Sequence, residues 1–188
     1  MNLKYLLRLL SCVFLLLFLS VPMMLVGFAV FITSRGPIIY WSDRIGKDNV
    51  VFKMPKFRSM SIDTPILASH LLGNSDEYLS PIGSFLRRYS LDELPQIYSV
   101  LKGDMAFIGP RPALFNQEDL IALRVDKGID KLLPGITGWA QVNGRDNLSI
   151  PDKVALELDY LNRQSFRLDM QILWMTFIKV FRREGVSH

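Results

Sequence analysis

From Leu9 to Ile32 the chain reads LLSCVFLLLFLSVPMMLVGFAVFI and carries no charged residue. The run exceeds the ~20 residues that cross a bilayer core as a helix, so a membrane segment is the first expectation. It is too long for the apolar part of a cleaved signal peptide, and no A-x-A-like site follows it. Pro22 lies in the middle, where it removes one backbone hydrogen bond and crowds the preceding turn. Basic residues flank both ends: Lys4 and Arg8 before the run, and Arg35, Arg44, Lys47, Lys53, Lys56 and Arg58 after it. A through-span places one basic flank outside, against the positive-inside tendency. A helix broken at Pro22 that dips in and returns keeps both flanks on the cytoplasmic side. Its arms, Leu9–Val21 and Met23–Ile32, are roughly 20 Å and 15 Å long at ~1.5 Å per residue. Each reaches about half of a ~30 Å hydrocarbon core. Ser20 offers a hydroxyl to backbone that Pro22 leaves unpaired. The residues favour the re-entrant form over the spanning one without settling it.

Beyond the run, TSRGP (Thr33 to Pro37) reads as an exit turn. Two short strands, Ile38–Trp41 and Val50–Met54, flank a Gly46–Asn49 turn. Ser61 to Tyr78 is polar and irregular, a surface loop. Helical spacing predicts helices over Pro81–Tyr89, Asp92–Lys102 (closed by Gly103), Gln117–Lys127 and Pro151–Arg163. GPRP and LPGITGWAQVNGRD read as stiff and glycine-rich loops. The last helix, around LDMQILWMTFIKVFRR, is apolar nearly all round. It fits equally a core helix or one lying on a membrane, with Trp174, Phe177 and Phe181 at the interface. The expected fold is α+β, mainly α: a membrane helix over 1–36, then one catalytic domain over 37–188 with a small β-hairpin and amphipathic interfacial helices.

A formal net charge of +4 suits an anionic partner without naming it. The single cysteine, Cys12, sits in the apolar run, and His70 and His188 lie far apart, so neither a disulfide framework nor a Cys/His metal site is expected. No GxxxxGK[ST] or GxGxxG motif supports P-loop or Rossmann nucleotide binding. In SLDELPQ, Ser90 and Glu93 fit a capping box, a purely structural reading. Pro95 fits better if Asp92 is itself the cap, because its missing N–H then falls at N3. Either register puts Asp92 and Glu93 at the positive end of a helix dipole, which favours their ionised forms. An ionised Asp can attack phosphorus, and an adjacent Glu can help hold a divalent cation. Lys53, Lys56, Arg58, Arg87, Arg88, Arg111 (between two prolines) and Arg145 could bind phosphate oxygens. Capping and chemistry both remain open on the residues alone. So do a membrane phosphohydrolase and a non-catalytic adaptor that binds anionic lipid.

The motifs KFRSM, SLDELPQ, LKGDMAFIGPRP, PGITGWAQVNGR and Leu168-Asp169, in this order over essentially the whole chain, resemble the small monotopic phosphoglycosyl transferases of the bacterial sugar transferase family. The resemblance is strongest to members that initiate bacterial protein N-glycosylation. It implies transfer of a phospho-sugar from a UDP-sugar to polyprenyl (undecaprenyl) phosphate, releasing UMP. The implied mechanism is ping-pong, with Asp92 as nucleophile and Glu93 as its Mg²⁺-associated partner. Arg87, Lys56 and Arg111 match phosphate- or active-site-binding positions; Asp169 matches a further acidic position, and Arg145 a motif arginine. The resemblance also implies a helix broken at a Ser-Pro pair, here displaced to Ser20 and Pro22, with both ends cytosolic at the inner membrane. The implied partners are the bilayer and downstream glycosyltransferases, with no nucleic acid.

Overall fold

The computed structural model describes residues 3–65, 75–144 and 147–182. Helix α1, Leu3–Thr33, runs through Pro22 as one helical element, so the break expected there is not an interruption of helical structure. The Ser20 hydroxyl donates to the Leu17 carbonyl at 2.7 Å. That acceptor lies one residue before Phe18, whose carbonyl Pro22 leaves without its i+4 donor. The two faces of α1 differ in partner though not in polarity. Phe14, Phe18, Val21, Leu25, Phe28 and Ile32 are exposed, while Leu15, Leu16, Met23, Val26 and Val30 pack on the rest of the chain.

The hairpin is longer than predicted. β1 (Ile39–Ile45) pairs antiparallel with β2 (Val51–Phe57), from Ile39 opposite Phe57 to Ile45 opposite Val51. Asp48 and Asn49 both take left-handed backbone, which these two residue types tolerate best after glycine. Pro55 is accommodated because β2 is an edge strand in the order β2-β1-β4. The chain continues through α2 (Gly83–Arg88), a 3-10 segment (Leu91–Gln96) and α3 (Ile97–Lys102), with Gly103 closing α3 in the left-handed region. Then follow β3 (Ala106–Ile108), β4 (Ala113–Leu114), α4 (Glu118–Asp126), β5 (Gly135–Thr137), α5 (Trp139–Asn143), α6 (Ile150–Arg163) and α7 (Phe166–Arg182). Ser149 caps α6 by accepting from the Asp152 amide at 3.3 Å. Of the predicted 61–78 loop, Ser75–Tyr78 forms a 3-10 turn, and residues 66–74 lie outside the described residues.

Among the described residues, four small apolar clusters replace one large core. Two of them include α1: Leu15 and Leu16 join Phe52, Met54, Ile97 and Val100, while Val30 joins Phe57 and Leu86. α1 is therefore a wall of the rest of the fold and shares its cores. α7 buries Leu168 and Ile172, as the core reading expects, and exposes Phe166, Met170, Leu173, Trp174 and Phe177 on its other side; the Phe181 side chain lies outside the described ones.

The two loops read as irregular are tied together, because β3 and β5 pair in parallel. A Cβ on Gly138 would lie 2.1 Å from the Gly109 carbonyl oxygen, and one on Gly135 2.1 Å from the Gly109 amide nitrogen. Glycine is needed there for space between two backbones. Gly138→Ala is expected to destabilise the fold by about 2 kcal/mol or more, the scale of overpacking against atoms that cannot yield. Thermal unfolding in detergent checks this; an unchanged Tm would contradict the close approach.

Candidate active site

Phe52, Met54 and Lys56 alternate along β2 and so share a face. The first two enter the core cluster with Ile97 and Val100, and Lys56 extends that face under the 3-10 segment. Leu91 and Leu94 fasten this segment to Val30, Phe57 and Leu86, leaving the acidic pair to face the basic groups. Ser90, in left-handed backbone at φ 54°, turns the chain into it. The capping expectations need correction here. Ser90 makes no side-chain cap, Asp92 follows it as the second residue of the 3-10 segment, and Glu93 does not close a capping box. Instead Glu93 Oε1 accepts from Lys56 Nζ at 2.8 Å and from Arg111 Nη2 at 3.1 Å. The expected placement of both carboxylates in the first turn does hold.

Asp92 is only 7% exposed, and its carboxylate accepts no hydrogen bond among the described residues. Burial pushes the carboxyl above the usual carboxylate range; Lys56 opposes this, Glu93 adds to it, and Arg87 and Arg111 oppose it. The helix dipole expected to favour ionisation is thus outweighed by loss of water. The same loss holds the Lys56 ammonium below the usual lysine range, with Glu93 opposing and Arg111 reinforcing the shift. Arg44 is pushed down to about 10 by burial and by the nearby Arg111 charge. Lys56, Arg87, Arg111 and Arg44 together surround two carboxylates, an excess of positive charge that suits a polyanion.

Arg111 is aimed by its backbone. Arg124 Nη2 donates to the Arg111 carbonyl at 2.9 Å, and Arg44 Nη1 donates to the Pro112 carbonyl at 3.2 Å. Arg124 is itself held by Glu157 through two hydrogen bonds of 2.7 and 2.5 Å, with both side chains buried. Sequence reading missed Arg44, Arg124 and Glu157. Period-2 alternation did put Arg44 on the face of buried Ser42, a usable signal for an inward charge. The Arg124–Glu157 pair joins α4 to α6 and left no local trace.

Other predicted residues are placed elsewhere. Arg58 donates to the Pro37 carbonyl at 2.8 Å and lies 6.0 Å from the Tyr40 ring centroid, bracing the exit from α1. Asp169 accepts from the Tyr160 hydroxyl at 2.9 Å, between α7 and α6. Burial, then this bond, pushes the Tyr160 phenol up to about 12. No recorded contact joins Arg58 or Asp169 to the Asp92 cluster among the described residues. Arg145 lies outside the described residues.

The donor set fits Mg²⁺. That ion is commonly held by one or two carboxylates plus substrate phosphates. Asp92 has open lone pairs, and the Glu93 carboxylate stands next to it in the chain. No cluster of three or more His, Cys, Asp or Glu exists among the described residues, so ligands beyond these two would come from substrate and water.

Comparison with known proteins identifies the family. The chain is 37% identical over 189 residues to an uncharacterized sugar transferase, EpsL, of Bacillus subtilis, covering 100% of this chain and 91% of that protein. It is 37% identical over 187 residues to the undecaprenyl-phosphate glucose phosphotransferase of Komagataeibacter xylinus, covering 93% of this chain and 35% of that protein. With the undecaprenyl-phosphate galactose phosphotransferase of Salmonella typhimurium the identity is 32%, covering 93% of this chain and 40% of that protein. The chain thus spans between a third and two fifths of the length of these two longer relatives. The bacterial sugar transferase family model matches residues 1–183, and the chain belongs to that family.

Proposed function

We propose that this protein transfers a phospho-sugar from a UDP-sugar to polyprenyl phosphate at the cytoplasmic face of a bacterial inner membrane, the first membrane step in assembling a glycoconjugate. One observation carries the reading. The buried Asp92 accepts no hydrogen bond among the described residues, while its neighbour Glu93 is clamped by Lys56 and Arg111. A structural carboxylate in that position would be expected to be paired. An unpaired one surrounded by cations suits attack on a phosphate.

In the first half, an Asp92 carboxylate oxygen bonds to the β-phosphorus of the UDP-sugar. The bond from that phosphorus to the α–β bridging oxygen breaks, and its electron pair leaves with UMP. In the second half, a phosphate oxygen of polyprenyl phosphate attacks the same phosphorus, and the Asp92–phosphorus bond breaks to regenerate the carboxylate. The product is polyprenyl diphosphate sugar. Raised basicity makes the ionised Asp92 a better nucleophile. Lys56 and Arg111 orient Glu93 and, with Arg87, offset charge on the diphosphate. Asp92 and Glu93 would hold Mg²⁺, which supplies charge neutralisation at the diphosphate. The sugar we favour is N-acetylated, on the resemblance to enzymes that initiate protein N-glycosylation; downstream glycosyltransferases would then extend the product.

We also propose that residues 1–36 attach to one leaflet without crossing the bilayer, turning back by a bend at Pro22 within a continuous helix, and that 37–188 form the catalytic domain. Support comes from α1 packing on that domain from Leu15 to Val30, a rise of about 22 Å at ~1.5 Å per residue. A through-span would carry the polar domain into the hydrocarbon beside it. The exposed apolar stripes of α1 and α7 offer contact with lipid at the domain's own level. A tag before Met1 should be reachable from the cytoplasm only; reachability from the periplasm alone would sink the topology.

The activity is tested with a panel of UDP-sugars and undecaprenyl phosphate, following UMP and lipid-linked product with Mg²⁺ and with EDTA. Product formation that stops in EDTA is expected. Release of free sugar phosphate without the lipid would favour a phosphohydrolase instead.

A further inference from the structure

A cavity of about 370 Å³ adjoins the catalytic segment, bounded on other sides by α1 and α7. Leu15 and Leu19 of α1, Phe107, Ile136 and Val180 give it a mainly apolar lining, and Ser90 and Glu93 belong to the same lining. Arg88 and Lys179 add two cations. A nucleotide is a poor occupant: the other polar side chains of the lining are engaged within the protein, Thr137 with Thr176 and Gln141 with the Ile136 carbonyl, so most groups of uracil, ribose and a diphosphate would lie against hydrocarbon. A plain apolar ligand would make no use of the cations. An amphiphile with a long apolar tail and an anionic head matches both halves of the lining. The way in also fits, since the two bounding helices carry exposed apolar stripes on their other faces. A lipid in the adjacent leaflet therefore meets these helices before it meets the carboxylates.

We propose that this cavity holds the phosphate-proximal isoprene units of polyprenyl phosphate, with Arg88 and Lys179 balancing the charge of its phosphate. The assignment rests on the transferase reading above and adds where the acceptor lies: between the membrane helix and the last helix, against the Glu93 side of the catalytic segment. Arg88 and Lys179 then become acceptor-binding residues, distinct from the Lys56 and Arg111 that hold Glu93.

Two variants and one label test it. Val180→Trp fills the cavity and Lys179→Glu reverses a charge beside it. Each should raise KM for undecaprenyl phosphate about ten-fold or more while KM for the UDP-sugar stays within about two-fold. In the wild type, a farnesyl phosphate bearing a benzophenone should crosslink to cavity-lining residues of α1 or α7. Undecaprenyl phosphate should compete for this labelling, and phosphatidic acid should not. An unchanged lipid KM in both variants overturns the assignment. So does equal competition by phosphatidic acid, which marks a general lipid groove, or competition by the UDP-sugar alone, which marks a nucleotide site. Labelling needs no turnover, so it decides the matter even if a variant fails to fold. A wild type that makes no lipid-linked product would instead count against the transferase reading.

Discussion

Asp92→Asn is expected to lower turnover at least about 1,000-fold, the scale seen when a nucleophile is removed from an otherwise intact site. The amide keeps the shape of the side chain and removes the oxygen that would form the bond to phosphorus. Its effect on the fold should be small and of favourable sign near neutral pH. Burial raises the folded-state pKa of Asp92, so its contribution to stability is greatest below the ordinary aspartate pKa and is lost as pH rises through the raised value. Asn carries no such penalty, and the carboxylate it replaces accepts no hydrogen bond among the described residues. Thermal unfolding without added metal should therefore show the variant at least as stable as the wild type. Loss of activity together with loss of fold would point to a structural role. Full turnover by a folded Asn variant would remove Asp92 from the mechanism.

Glu157→Ala is expected to act in the opposite way, with a large cost to stability at a distance from the chemistry. Glu157 and Arg124 are 2% and 7% exposed, and removal of the acid leaves a guanidinium buried without its countercharge. Breaking a buried pair in this manner costs about 3–5 kcal/mol. For a chain of 188 residues that corresponds to a Tm lower by roughly 10 °C. The double variant Arg124→Met with Glu157→Leu removes both charges and should recover most of the stability, because a well-packed apolar pair often equals a buried ion pair. Activity should stay low in the double variant, since the Arg111 carbonyl has lost the donor that fixes its loop. Recovery of stability and activity together would reduce the pair to a packing role.

The candidate site was easier to see in the sequence than the scaffold that aims it. Asp92, Glu93, Lys56 and Arg111 are all in short motifs, and the fold brings Lys56, Glu93 and Arg111 into contact. Their local backbone was legible only in part. A capping box is read from residue types, but Ser90 takes left-handed backbone, which residue types do not announce. The hairpin was foreseen from its turn, yet its strands extend to Ile45 and Phe57 because pairing with β4 and packing on the 3-10 segment continue the ladder beyond the apolar runs.

The parallel pairing of Ala106–Ile108 with Gly135–Thr137 was hidden because three-residue strands show no periodicity. The glycines beside them look like turn residues, although at Gly109, Gly135 and Gly138 the demand is for space. Arg124 and Glu157 stand 33 residues apart, and only the packing of α4 against α6 makes them neighbours. Arg58 stands apart from the Asp92 cluster for the converse reason. A basic residue in a motif is equally able to brace a loop, and this one braces Pro37 and Tyr40.

The central claim is that Asp92 becomes covalently phosphorylated by the sugar donor, and mass spectrometry of the trapped enzyme tests it most directly. The protein is mixed with its UDP-sugar in the absence of polyprenyl phosphate, quenched in acid and digested. The expected result is UMP released in an amount comparable to enzyme, with the phospho-sugar mass on the peptide carrying Asp92. Release of UMP only when polyprenyl phosphate is present, with no adduct on that peptide, would contradict it and point to direct transfer between the two substrates.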